Sequence, residues 1–319
     1  ERDSTGRFVV DPGSMEAQVV QTLGRQGHEV CVVAFDPGIT PTIAALRALK
    51  PALVFNLTEW VDGDRSLDSA IAGLLDMMKL RYTGASPEGM QLARDKVLAK
   101  DMGARLGIEG PAHRLLEGRA TSVRPLAFPV IVKPQFGDGS EAIARNALTR
   151  NANEFRSRLV TLRKHGAPAL MCETFVPGID LFVGLLGNEP RVMPPIELVI
   201  GRRGAGAPKF ATFNVKHDAR YQRRWQVAYR HPALSEDLLE SIRDASRRIF
   251  RALKQRDYAR IDYRLTPDNR LVFLEVNPNP DLSRDTFGRS RARRHKCFSE
   301  VSYSELIATI VRAARARPA

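Results

Sequence analysis

The chain has 319 residues, 43% of them hydrophobic, and a formal net charge of +13. That length suffices for two or three packed units, and the lack of any apolar run of about 18 residues excludes a membrane-spanning helix. Three scattered cysteines, Cys31, Cys172 and Cys297, form no CxxC pair, which speaks against a disulfide framework and for a reducing, cytoplasmic setting. The opening ERDSTGRFVV lacks the basic-then-apolar layout of a secretory signal. It also lacks an initiator Met, which leaves upstream trimming open. Cys31 and Cys172 lie in apolar runs and are expected to be buried. The positive charge suits a polyanionic partner, whether nucleotide phosphates, nucleic acid or an acidic substrate, without choosing among them. Its densest stretch is SRDTFGRSRARRHK (283–296), which on its own fits a solvated surface loop.

The first ~85 residues alternate strand and helix signals. RFVV (7–10), HEVCVVAF (28–35) and ALVFNL (52–57) are predicted strands. MEAQVVQTLGRQG, PTIAALRALK and SLDSAIAGLLDMMK are predicted helices. This βαβαβα rhythm predicts a parallel sheet flanked by helices, with DPGSME (11–16) and TEWVDGD (58–64) lining a crevice at the strand ends. A long helix follows over SPEGMQLARDKVLAKDMGARLGI, carrying Arg94, Asp95, Lys96 and Lys100. FPVIVKP (128–134) is a buried strand before the turn QFGDGSEAI. TRNANEFRSRLVTLRKHG (149–166) is a helix and PALMCETFV (168–176) a strand. From about 177 come longer strands, an amphipathic helix (235–254), a hairpin (258–277) and a terminal helix with a capping box at Ser302 and Glu305.

The hairpin YARIDYRL–TPDN–RLVFLEVN carries the most chemistry. A four-residue loop over 267–270 would set Thr266 against Leu271, Asp262 against Glu275 and Arg260 against Asn277. Ile261, Tyr263, Leu265, Val272, Leu274 and Val276 would then share one face, and Arg260, Asp262, Arg264, Glu275 and Asn277 the other. Two facing carboxylates repel unless a cation lies between them. With an amide oxygen added, the donors are all hard oxygens, which suits Mg²⁺ shared with phosphates. The alternative is a solvent-exposed face of Arg–carboxylate pairs.

Other groups leave two readings each. Lys133 ends a strand before a turn with Gly137, Gly139 and Ser140, so it could hold phosphate or simply reach solvent. Glu173 sits among apolar neighbours and needs a partner, either an adenine amino group or a lysine or arginine. Asp180 follows a Pro-Gly turn and could accept from ribose hydroxyls or cap the turn. Lys216 and His217 fall in a polar loop. His28, His113, His165 and His231 have no metal-ligand spacing, and no Ser/His/Asp or Cys/His nucleophile system is present.

Taken together, VFNL, YTGASPEGMQLARDKVLAK, FPVIVKP, CETFVPGIDLFVGLLGN, VKHD and ARIDYRLTPDNRLVFLEVNPNPDLS resemble an ATP-grasp ligase of the D-alanine–D-alanine ligase type. The resemblance covers nearly the whole chain and follows the family's order. It implies an α/β chain, α+β in its ATP-grasp part: an N-terminal parallel-sheet domain (1–88), a central lobe (89–176) and a C-terminal lobe with the metal site (177–319). ATP would lie between the two lobes. Asp262, Glu275 and Asn277 match the ligands of two Mg²⁺ ions, with Mn²⁺ as an alternative. Lys96, Lys133, Gly139 and Ser140 fall where the family holds nucleotide phosphates; Lys216 matches the lysine near the γ-phosphate. Glu173, Phe175 and Val176 match the adenine strand, Asp180 the ribose ligand, and Arg260 the oxyanion-stabilising arginine. Such enzymes phosphorylate a carboxylate and let an amine displace phosphate, chemistry that needs positioning and charge neutralisation rather than a protein nucleophile.

The departures lie on the amino-acid side. Glu59-Trp60 replaces a His-Gly pair, His217 replaces a lid tyrosine, and the serine-rich phosphate turn becomes GDGSEA. Glu16 is set against the family's N-terminal glutamate, but the surrounding Gly-Gly signature is missing. NTSPGM becomes NPNPDL, with Asp281 in place of a backbone-donating glycine. The expectation is a ligase joining another small carboxylate to another amine, with no membrane or nucleic-acid partner; a homodimer is left open. The alternatives are a ligase acting on a protein tail or acidic macromolecule, docked by 284–296, and a non-catalytic nucleotide- or polyanion-binding protein.

Overall fold

The computed structural model describes residues 10–35, 39–61, 64, 67–116, 126–137, 145–165, 169–202, 204, 207–284 and 296–317. The first three residues of the predicted strand 7–10, the turn residues Gly139 and Ser140, and nearly all of the basic stretch 283–296 lie outside them. Among the described residues no helix is long and apolar enough to cross a membrane.

The N-terminal part supplies three helices, α1 (Met15–Arg25), α2 (Ile39–Leu49) and α3 (Asp68–Met77). Ser14 caps α1 by accepting from the Ala17 amide. Among the described residues, the parallel sheet expected between these helices is represented by a single parallel bridge, Val54 to Tyr82. The segments 28–35 and 52–57 run beside it without forming a ladder. Their apolar residues still pack: Val33, Phe35 and Val54 against the α2–α3 core, and Val30, Leu53, Phe55 and Leu57 against the C-terminal core. Burial rather than ladder bonding explains their apolar pattern. Cys31, expected inside, is exposed.

The predicted single helix near residue 95 is two, α4 (Pro87–Arg94) and α5 (Lys96–Arg105). Asp95 breaks it. Its ψ of 95° leaves the helical region, and its carboxylate caps α5 by accepting from the Val97 and Leu98 amides. A four-stranded antiparallel sheet follows, in the order β1 (His113–Leu116), β4 (Leu170–Thr174), β2 (Val130–Pro134), β3 (Leu148–Thr149). Helix α6 (Ala152–Lys164) covers one face through Phe155, Leu159 and Leu162.

The second sheet runs β10 (Leu271–Asn277), β9 (Tyr258–Leu265), β5 (Ile179–Leu186), β7 (Ile196–Ile200), β8 (Val227–Arg230), with β6 (Arg191–Val192) paired to β5. All its pairings are antiparallel. Helix α9 (Glu236–Ala252) buries Ile242, Ile249 and Phe250 against one face. On the other side lie the short helices α7 (Phe213–His217) and α8 (Ala219–Trp225), where the sequence suggested a polar loop, and α10 (Tyr303–Ala316). Ser302 caps α10 as expected, but Glu305 completes no capping box; its carboxylate accepts from Thr309 and Arg312 instead.

The hairpin register differs from expectation at one end. Asp262–Glu275 and Arg260–Asn277 pair as predicted, whereas Leu271 pairs with Leu265 rather than Thr266. The shift falls between Phe273 and Glu275, a bulge at Leu274. Leu271 and Phe273, not Val272 and Leu274, therefore join Ile261, Tyr263 and Leu265 in the core under α9. The Phe273 and Tyr263 rings meet edge to face with centroids 6.1 Å apart.

Candidate active site

Side chains alternate along β5, β9 and β10, and cross-strand partners share a face. Three rows result: Asp180 beside Arg264; Phe182, Asp262 and Glu275; and Gly184, Arg260 and Asn277. The opposite face is wholly apolar, with Leu181, Val183, Leu185, Ile261, Tyr263 and Val276. One strand set thus separates a core from a polar surface, and the polar surface is largely enclosed.

In the middle row Asp262 is 3% exposed. Arg260 donates to both of its oxygens, Nε to Oδ1 at 2.6 Å and Nη2 to Oδ2 at 3.1 Å. Lys216, on α7, brings Nζ to 3.5 Å from Oδ2. Burial alone would lower the Arg260 pKa; the Asp262 carboxylate outweighs it and raises the pKa. Arg–carboxylate pairing is therefore present, but buried rather than solvated. In the third row, a Cβ at Gly184 would lie 2.2 Å from the Cys297 carbonyl oxygen. Its absence lets the turn Lys296–Phe298 cross β5 against Arg260's strand partner.

Helix α5 and the first sheet aim lysines at the same region. Lys133 Nζ lies 2.6 Å from Glu173 Oε1, and Lys100 Nζ lies 3.2 Å from Oε2. Lys100 also donates to the Leu274 carbonyl at 2.5 Å, the bulge residue beside Glu275. Lys96 donates to the Gly137 carbonyl. Burial pulls the Lys100 pKa down to about 8, with Glu173 opposing and Lys133 adding to the fall. Burial would raise the Glu173 pKa, but Lys100 and Lys133 hold it below the ordinary value. Of the two readings for Glu173, the lysine partnership is observed.

Glu275 is half-buried, and among the described residues no hydrogen bond or ion pair closes on its carboxylate. Burial would raise its pKa; Lys216, Lys133, Lys96 and Lys100 overcome this and bring it down to about 2. Asn277 is buried, and its Nδ2 meets no partner among the described residues. An ionised, unpaired carboxylate beside Asp262 and a buried carboxamide make a donor set that could hold a hard divalent cation. Histidine and cysteine ligands for a softer metal are absent from it.

At the other end of the face, Asp180 is engaged by the protein. Its Oδ2 accepts from the Ala211 amide at 2.9 Å, and Arg264 lies 3.3 Å from Oδ1. Burial raises its pKa, against Arg264 and Lys216. Phe175 packs on Phe210 with ring centroids 6.0 Å apart, and the Arg264 guanidinium lies 5.7 Å over it. Val176 lies half-buried between β4 and β5.

The residues predicted for the amino-acid side are spread out. Asp281 accepts from the Ser283 amide at 2.8 Å and from its hydroxyl at 2.9 Å, a local turn that shapes the strap 279–284. That strap docks on α1 and α10: the Arg284 amide donates to Gln18 at 2.7 Å, and its guanidinium lies 4.4 Å over Tyr303. Tyr258 donates to Asn279 at 2.7 Å. Burial raises the Tyr258 pKa, and the Asp257 and Glu59 charges add to it. His217 packs on Phe213, centroids 4.7 Å apart. Glu16 is exposed in the first turn of α1 and joins none of these contacts.

Three residues at this site were not singled out as site residues from the sequence: Lys100 on α5, and Phe182 and Arg264 on the sheet face. Each had a signal. Lys100 lies four residues after Lys96 on a helix, and Phe182 and Arg264 lie two residues after Asp180 and Asp262 on strands.

A polar face between two antiparallel sheets, ringed by lysines and ending in a carboxylate–carboxylate–amide set, is an architecture of ATP-grasp ligases. The family model for the D-Ala–D-Ala ligase C-terminus matches residues 112–312, and the chain belongs to this family of ATP-grasp ligases, which form carbon–nitrogen bonds. It is 31% identical over 278 residues to the uncharacterized protein y4sG of Sinorhizobium fredii, covering 85% of this chain and 80% of that one. It is 29% identical over 305 residues to a D-alanine–D-alanine ligase of Desulforudis audaxviator, covering 94% and 92%. The crystal structure of D-alanine–D-alanine ligase from Bacillus anthracis complexed with ATP superposes with a TM-score of 0.70 at 18% identity, covering 94% and 90%.

Proposed function

We propose that the protein is an ATP- and Mg²⁺-dependent carboxylate–amine ligase acting through an acyl phosphate, on an amino acid or small peptide other than a pair of D-alanines. The observation that carries this reading is the Phe182–Asp262–Glu275 row with Arg260 and Asn277 in the next one. It gathers hard oxygen donors and Arg260 on one enclosed surface, with Lys216 reaching Asp262 from α7. Residues 1–88, 89–176 and 177–319 would act as N-terminal domain, central lobe and C-terminal lobe.

Asp262, Glu275 and Asn277 would hold Mg²⁺, which neutralises phosphate charge when bound. Lys96 and Lys133 would hold the α- and β-phosphates, with Gly139 and Ser140 in the covering turn, and Lys216 the γ-phosphate. Glu173, Phe175 and Val176 would line the adenine, and Asp180 the ribose; Glu173 also pairs with Lys100 and Lys133, and Asp180 with Arg264. The substrate carboxylate oxygen attacks the γ-phosphorus, ADP leaves, and an acyl phosphate forms. The amine nitrogen then attacks the acyl carbon and inorganic phosphate departs, the amine proton passing to solvent. Arg260 would bind the oxyanion of both steps, held in place by its two bonds to Asp262.

Substrate choice would rest on Glu59, His217, Asp281 and Glu16. Asp281 adds a carboxylate to the strap, which favours a cationic or amine-bearing group nearby over a bare carboxylate. The test is phosphate release from MgATP across a panel of amino acids and short peptides. Release with D-alanine alone would overturn the proposed specificity, and release with none would overturn the ligase assignment of the site.

A further inference from the structure

Phe182 lies on the polar face, between Asp180 and Gly184 on β5. It is 4% exposed and pairs across the sheet with Asp262. The Arg260 guanidinium carbon lies 5.3 Å from its ring centroid and Lys216 Nζ lies 5.5 Å from it. These two cations also share the single Asp262 carboxylate. Two positive groups drawn to one carboxylate repel each other, and Asp262 alone cannot neutralise both. An aromatic face carries negative potential and attracts a cation most strongly where water is excluded. Tyr229 backs the ring, with centroids 6.1 Å apart.

We propose that Phe182 is a positioning residue: its ring is a shared floor that holds Lys216 and Arg260 together beside Asp262. The inference rests on the ligase reading of this site. It adds that Lys216 and Arg260 are set as a pair, through the π face of a residue that bears no charge. A leucine there would fill similar space and keep the sheet's packing, but would offer the cations nothing.

The test replaces Phe182 with mono-, di- and trifluorophenylalanine, which keep the ring's shape while draining its face of negative potential. MgATP affinity is measured by calorimetry for each. Affinity should fall stepwise, by about tenfold across the series, with the thermal midpoint nearly unchanged. A flat series with tight wild-type binding overturns the floor and leaves the ligase reading standing. If the wild type does not bind MgATP, the reading falls and the positioning role falls with it. A second arm needs no ligand: a cycle of Phe182→Leu and Lys216→Met in urea unfolding. The floor requires the two changes to be non-additive, by at least about threefold in the unfolding constant. Strict additivity contradicts it.

Discussion

Glu275 lies directly across from Asp262 because a bulge at Leu274 puts it there. Without the extra residue, the turn's pairing of Leu271 with Leu265 would set Leu274, not Glu275, against Asp262. The bulge also frees the Leu274 carbonyl to accept from Lys100. A buried lysine thus ties the metal-ligand candidate on one sheet to Glu173 on the other.

Replacing Glu275 by Gln removes one carboxylate and leaves the shape. Mg²⁺-dependent ATP turnover should fall by at least about a hundredfold, with the circular dichroism spectrum kept. The same variant has a pH signature. The folded-state pKa of Glu275 is about 2, below the ordinary 4.5. Its ionised form therefore stabilises the fold above pH 4.5, and that contribution disappears as pH falls through about 2. Urea unfolding in buffer without divalent ions should show the wild type's advantage over Glu275→Gln narrowing across that interval. A gap that widens on acidification would contradict the assignment.

Lys100→Met breaks the ion pair to Glu173 and the bond to Leu274. The cost in unfolding free energy should be about 1 kcal/mol, the scale of the lost hydrogen bond, because Lys133 still holds Glu173 and burial already disfavours the Lys100 charge. Calorimetry should also show weaker MgATP binding, since the bulge loses its anchor. Unchanged stability would mean that the contact is incidental.

Gly184→Ala places a methyl group against the Cys297 carbonyl. Backbone must move, and the thermal midpoint should drop by an amount corresponding to about 2 kcal/mol or more. Gly24, whose Cβ would meet nothing within 4 Å, is the control; Gly24→Ala should not destabilise.

Much of this site was legible from spacing alone. Residues two apart on β9 and β10 share a face, so Arg260, Asp262, Glu275 and Asn277 could be grouped before any coordinates. The Leu274 bulge was not legible, because Val272 and Leu274 continue the apolar alternation as well as Leu271 and Phe273 do. Only packing under α9 decides between them. Asp95 is another such case: an i+4 pattern of polar and apolar residues runs through it, and the capping bonds that break the helix compete locally with that pattern. The N-terminal segments carried strand-like composition, yet among the described residues they bury their apolar side chains with a single parallel bridge, between Val54 and Tyr82.

Asp281→Gly should change acceptor choice more than nucleotide affinity, because Asp281 lies in the strap that docks on α1 rather than on the Asp262 face. The ratio of rates for cationic and neutral amine acceptors should fall by about tenfold, the scale of one charge contact. A change confined to the MgATP dissociation constant would place Asp281 on the nucleotide side instead.

The most direct measurement uses carboxylates labelled with heavy oxygen, incubated with amines and MgATP, with every product weighed by mass spectrometry. An acyl-phosphate ligase predicts an amide lighter than acid plus amine by one water, ADP in equal amount, and one labelled oxygen in the released phosphate. Label in AMP, or no amide with any pair while MgATP binds, would contradict it.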